Sequence, residues 1–320
     1  MLINAIKSFP RQFLFSPRLV NGAKLKKHDK FIIAGMGGSS LAGDIIKTWK
    51  PEMDIVIHRD YGLPSLVDIK QRLIIACSYS GNTEETISAF RKARLRNLPI
   101  AVITTGGRLA ALAHQSSKPT VLVPNTGIQP RTATGFMLMA LLLVMGEKRA
   151  LKEARNMAKV LKPNFFQNIG KKLANKLINK VPIIYSSARN AAVANNWKIK
   201  FGENAKIPVF MNLFPELNHN EMNGFGVKQN LKKTGTRFHF IFLRDDEDHP
   251  GIAKRMNVTK KLYQRIGLPV EEIKFKGKTR LERIFNSLQL ADWTSMALAL
   301  MYGLDPEPVP MVEEFKKLIS

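Results

Sequence analysis

Short apolar runs alternate along this chain with longer stretches of helical spacing. In the first half the runs at 30–34, 53–57, 72–77, 99–103 and 119–124 are nearly continuous in apolar residues. Continuous runs predict strands buried on both faces of a parallel sheet, since a half-exposed strand would alternate. Between them apolar residues recur three and four apart, as in Leu41, Ala42, Ile45, Ile46 and Trp49, and in Ile87, Ala89, Phe90 and Ala93. That spacing predicts amphipathic helices. The second half repeats the alternation, with strands predicted at 181–185, 208–212, 238–243 and 270–275 and helices at 190–201, 250–266, 282–302 and 311–318. The pattern predicts an α/β fold of two three-layer αβα domains. We expect an N-terminal extension at 1–28, a first domain at 29–150, a Lys-rich helical bridge at 151–180 and a second domain with a C-terminal helix at 181–320.

The chemistry concentrates where predicted strands end. Residues 78–86 read S-Y-S-G-N-T-E-E-T between an apolar strand and a helix. Ser78, Ser80 and Thr83 bring three hydroxyls to a tight turn, and the following helix start adds unpaired amides and a partial positive charge. This is a cradle for a phosphate. A polar loop ending in an ordinary N-cap is the plain alternative, but a cap needs only one hydroxyl. A second turn, G-M-G-G-S-S at 35–40, follows the first strand. It lacks the last glycine of G-x-G-x-x-G and the Gly-Lys of a P-loop, which disfavours a nucleotide. Gly37 and Gly38 would instead bring backbone close to a small polar ligand, with Ser39 as a donor. Arg131 precedes the apolar stretch at 136–145. A cation at a helix start is unfavourable for the dipole, which points to a compensating anion.

Three residues of the second half are candidates for proton transfer. Glu203 lies in F-G-E-N-A-K-I-P, His219 in P-E-L-N-H-N-E, and Lys316 on the last predicted helix. Taken singly each has an ordinary reading: a solvated glutamate, a loop histidine and a lysine on an amphipathic helix. An imidazole among polar neighbours can nevertheless exchange a proton near neutrality.

Composition narrows the class. The 320 residues are 45% apolar, enough for a real core. The run at 136–145 is too short for a membrane span of about 20 residues, and the first residues lack the apolar region of a signal peptide. Cys77 is the single cysteine, so neither a disulfide framework nor a cysteine zinc site is expected. These features fit a cytoplasmic protein without membrane association. The net charge of +25 would suit nucleic acid. However, the lysines and arginines are spread along the chain without a recognisable nucleic-acid motif, so no specific nucleic-acid partner is expected.

Six motifs in order, G-M-G-G-S-S, S-Y-S-G-N-T-E-E-T, P-R-T-A-T-G, E-N-A-K-I-P, P-E-L-N-H-N-E and D-W-T-S…G-L-D-P-E-P-V, resemble the bifunctional phosphoglucose/phosphomannose isomerase family of the sugar isomerase (SIS) superfamily. The resemblance spans about 30–318. It departs at Gly202, where family members usually have Asn. The resemblance implies two SIS domains with mainly five-stranded parallel sheets, a homodimer and a site in the cleft between domains. It also implies interconversion of glucose 6-phosphate or mannose 6-phosphate with fructose 6-phosphate. By motif, Ser39, Ser78, Ser80 and Thr83 would bind this phosphorylated hexose, the last three chiefly its phosphate, and Gly37 and Gly38 would shape the first loop. Glu203 would be the base and His219 the ring-opening residue, which in the superfamily can come from the partner subunit. Lys316 would be the C-terminal lysine. Arg131 is our candidate to stabilise the enediolate. No metal or other cofactor is expected, because acid–base chemistry suffices. A non-catalytic sugar-phosphate sensor, a nucleic-acid-associated protein and an amino-sugar isomerase are the rivals.

Overall fold

The structure, a computed structural model, describes residues 2–21, 25–226 and 237–319. Residues 22–24 of the expected N-terminal extension lie outside the described residues. The chain divides into two compact units, Lys7–Leu161 and Met1–Ile6 together with Lys162–Ser320.

After helix α1 (Leu2–Ser8), the first unit runs through β1 (Leu19–Val20), β2 (Lys30–Ala34), α2 (Gly38–Trp49), β3 (Asp54–His58) and β4 (Leu73–Ser78). It continues with α3 (Glu84–Leu95), β5 (Ile100–Thr104), α4 (Gly107–Gln115), β6 (Thr120–Leu122), α5 (Thr134–Val144), α6 (Lys148–Arg155) and α7 (Met157–Val160). The sheet order is β1-β6-β5-β4-β2-β3. Five strands are parallel, and β1 lies antiparallel on β6 with Leu19 opposite Val121. Every residue of the central strands β4 and β5 is buried, which is why their sequences are apolar up to their last residues, Ser78 and Thr104. Ile32, Ile74 and Val102 pack on one face with Ile87, Phe90 and Leu109. On the other face Ile33 and Ile57 meet α2 at Gly43.

The N-terminal residues do more than the expected extension. Gln12 is buried, donates to the Thr132 carbonyl at 2.7 Å and accepts the Gly135 N–H at 3.0 Å. It therefore satisfies a first-turn donor of α5, a helix whose residues are almost all buried and which has no cap of its own.

The second unit comprises α8 (Gln167–Leu177), β7 (Val181–Ser187), α9 (Ala191–Lys200), β8 (Phe210–Phe214), α10 (Glu221–Gly224) and β9 (Phe238–Arg244). It then adds α11 (Pro250–Arg265), β10 (Val270–Lys274), α12 (Arg280–Met301) and α13 (Pro310–Ile319). Of the Lys-rich stretch expected as a bridge, α6 and α7 fall within the first unit and α8 within the second. The sheet order is β10-β9-β7-β8, all parallel. Among the described residues this sheet has the four strands that its apolar runs predict, one fewer than the five implied by the resemblance. One face carries an aromatic core of Tyr185, Phe214, Phe240, Phe242 and Tyr263.

The two sheets share a plan. β2 lies between β3 and β4, and β7 lies between β8 and β9 in the same chain order. The loop after β4 in the first unit therefore corresponds to the loop after β9 in the second. Ligand crevices of such sheets form at the carboxyl ends of these strands.

Candidate active site

In the first unit the loops after β2, β4 and β5 lock together. Ser39 is buried in the first turn of α2, and its Oγ accepts the Tyr79 N–H at 2.9 Å. An accepting hydroxyl keeps its proton to donate. Gly38 opens α2 against the 3-10 turn Pro130–Thr132. A Cβ there would sit 2.5 Å from the Pro130 carbonyl carbon and 2.6 Å from the Arg131 nitrogen. Only glycine lets the turn carrying Arg131, itself 1% exposed, come this close. Gly37, the residue preceding α2, has a positive φ.

The hydroxyl-rich loop is preorganised by its own side chains. Ser78 and Thr83 pair through their hydroxyls at 2.9 Å, and the Ser78 Oγ also accepts the Gly81 N–H at 3.0 Å. Thr83 stands at the N-cap position of α3 but makes no side-chain cap bond. The plain capped-helix alternative is thus not what this loop does. Ser80 is exposed and its Oγ accepts the Asn82 N–H at 3.3 Å. Gly81 has φ +73°, and a Cβ there would fall 1.9 Å from the Gly106 carbonyl oxygen. The Gly81 and Tyr79 carbonyls accept from Leu109 and Thr105, which fixes this loop to the one after β5.

The second-unit candidates stand on three separate elements. Glu203 is half-buried in a π-helical turn, Phe201–Ala205, that continues α9. Such turns insert an extra residue and often mark functional sites. A Cβ at Gly202 would meet only Val209 Cγ1, at 3.9 Å, an ordinary contact. His219 is exposed after the 3-10 turn Glu216–Asn218, with its N–H donating to the Glu216 carbonyl at 2.9 Å. Glu221 of the same motif accepts from the Tyr185 hydroxyl and the Asn212 amide. Burial, the neighbouring Tyr263 and the Glu221 bond push the Tyr185 hydroxyl pKa far up, so it remains a donor. Lys316 lies on α13, none of whose residues is buried.

Sequence reasoning missed a charged cluster at the carboxyl ends of β7 and β9. The side chain of Asp245, fully buried, pairs with Arg280 at the start of α12. Asn190 donates to Asp245 at 3.2 Å and accepts from Arg280 at 2.6 Å, while Ser187 donates to Asp248 at 2.6 Å. Burial raises the Asp248 carboxyl pKa above its ordinary value, against the Ser187 bond that lowers it. The D-D-E-D run at 245–248 was the available signal.

The family model "Bacterial phospho-glucose isomerase C-terminal SIS domain" matches residues 166–319. The chain is 36% identical to a bifunctional phosphoglucose/phosphomannose isomerase of Caldicellulosiruptor bescii, over 93% of this chain and 91% of that protein. It is 34% identical to the enzyme of the same name from Aquifex aeolicus, over 92% and 91%. In fold it is similar to a glucosamine-6-phosphate deaminase structure from Thermotoga maritima, with a TM-score of 0.70 at 14% identity over 97% of each chain.

Proposed function

The chain belongs to the bifunctional phosphoglucose/phosphomannose isomerase family, and from that premise we propose that it interconverts glucose 6-phosphate and mannose 6-phosphate with fructose 6-phosphate. The chain-long likeness to isomerases of that name carries the reading. The preorganised hydroxyl loop of the first unit supports a phosphorylated substrate.

In this reading Ser78, Ser80, Thr83 and the first-turn amides of α3 hold the phosphate, and Ser39 binds the sugar. Gly37 and Gly38 keep the first loop low. His219 and Lys316 exchange protons with the ring oxygen and the C1 hydroxyl, which opens the ring and exposes the carbonyl. Glu203 removes the C2 proton of the aldose and delivers it to C1 through a cis-enediolate. Arg131 offsets the charge that develops on the enediolate oxygens. Each positioned proton transfer typically contributes about 10²- to 10⁴-fold. Glucose and mannose phosphates differ at C2 alone. Rotation of the planar enediol about C2–C3 with the phosphate held lets one carboxylate serve both. A cytoplasmic homodimer, with His219 completing the partner's site, fits the exposure of His219. It also fits Met311, Phe315 and Leu318, which are 83%, 59% and 79% exposed on α13.

Purified protein incubated with fructose 6-phosphate should form both aldose phosphates. Substrate binding without either product would identify a sensor, and one product alone would remove the bifunctional reading.

A further inference from the structure

Two of the motifs that carry the family resemblance have no role in the reaction as described: D-W-T-S at 292–295 and G-L-D-P-E-P-V at 303–309. Both meet the turn that carries Glu203. The Lys200 ammonium, on the last residue of α9, lies 2.5 Å from the Asp292 carboxylate, with side chains only 5% and 11% exposed. One turn further on, the Asn204 amide donates to the Ser295 hydroxyl at 2.9 Å, and that hydroxyl donates to the Asp292 carbonyl at 3.2 Å. One turn earlier, the Trp197 indole N–H donates to Ser287 at 3.0 Å. These contacts run from Trp197 and Lys200 on α9 to Asn204 in the π-turn, and from Ser287 to Asp292 and Ser295 along α12. Beyond Glu203, Lys206 takes a left-handed conformation at φ +56°, and its ammonium donates to the Asp305 carbonyl at 2.5 Å.

We propose that Lys200, Asp292, Ser295 and the Asp305 backbone act as positioning residues, a polar clamp that fixes the register of the π-turn and thereby the aim of the Glu203 carboxylate. The inference rests on Glu203 being the base. A buried ion pair is a poor way to gain stability, because two desolvated charges are no better than well-packed apolar side chains. It is, however, a specific way to fix register, since neither partner can slide without breaking the pair. A turn with an extra residue has several near-equal ways to close, and apolar packing alone would not choose among them. Glu203 sits between the two jaws, three residues after Lys200 and one before Asn204. A carboxylate that moves a proton between adjacent carbons tolerates little displacement, and about 1 Å can cost on the order of 100-fold in rate.

The test compares Lys200→Met, Asp292→Leu, their combination, Ser295→Ala and Ser295→Thr, with Glu203→Gln as control, in melting temperature and fructose 6-phosphate kinetics. Each single change at 200 or 292 breaks the buried ion pair and should lower the melting temperature. The double change should recover most of that loss, while kcat stays about 10- to 100-fold down with KM within about threefold. Should the double variant fail to fold, Ser295 decides: Ser295→Ala should lower kcat several-fold at nearly parental melting temperature, and Ser295→Thr should restore it. A double variant, or a Ser295→Ala variant, that turns over at the parental rate overturns the clamp. If Glu203→Gln is inactive in the same experiment, the assignment of the base survives that failure. If Glu203→Gln keeps parental turnover, the base is elsewhere and the clamp falls with it.

Discussion

The loops after β4 and β9 hold equivalent places in two sheets of the same plan, yet one is built of hydroxyls and the other of charges. In the first unit Ser78 and Thr83 pair with each other, Ser80 is exposed, and the loop contains no side-chain anion before Glu84. In the second unit Asp245 is already bound to Arg280 and Asn190, with Asp248 beside it. A phosphate brought to the first loop meets donors. Brought to the second, it meets the carboxylates of Asp245, Glu247 and Asp248, and three arginines, Arg189, Arg280 and Arg283, that are already paired with Asp245 and Glu247. The difference teaches that a repeated architecture need not repeat its site: a few residues after a strand decide whether the crevice receives an anion or supplies its own.

The contrast can be broken at several points. The largest effect is expected from Asp245→Ala, which leaves Arg280 buried without its carboxylate. Denaturant unfolding should show a loss of about 3 to 5 kcal/mol. Gly81→Ala should follow, at about 3 kcal/mol or more, because strain at positive φ adds to a collision with the Gly106 carbonyl. Unlike Asp245→Ala, it should also cost substrate affinity measured by calorimetry. Ser80→Ala should leave stability alone and weaken phosphosugar binding by about 1 to 3 kcal/mol, read as a raised KM. Unchanged affinity would place the phosphate elsewhere.

The smallest effect is a pH signature confined to the second loop. The Asp248 carboxyl pKa is raised when folded, so the native state holds that proton more tightly than the unfolded chain does. Its ionisation therefore withdraws stability as pH climbs from the ordinary carboxylate value through the raised one. Asp248→Asn should match the parent in melting temperature at the acid end of this window and exceed it above. No equivalent carboxylate exists in the loop at 78–83, so Ser78→Ala should show no such divergence.

The strands were legible because they are buried on both faces and their sequences say so directly. The hydroxyl loop was legible because its residues are contiguous and sit where a strand meets a helix. What escaped is what the fold assembles from distant positions. Asp245 and Arg280 are 35 residues apart, Lys200 and Asp292 are 92 apart, and Gln12 caps a helix more than 120 residues on. Each of these residues reads locally as an ordinary surface polar group. The strand β1 escaped for another reason, since two residues are too few to display a period.

The central claim is that Glu203 carries the proton between C2 and C1. Nuclear magnetic resonance of fructose 6-phosphate in heavy water reads that step directly, as deuterium entering C1 of the ketose and C2 of the aldoses. The parent enzyme should exchange at both positions, and Glu203→Gln should exchange at neither while still binding substrate with nearly parental affinity. Exchange by Glu203→Gln at the parental rate would contradict the account.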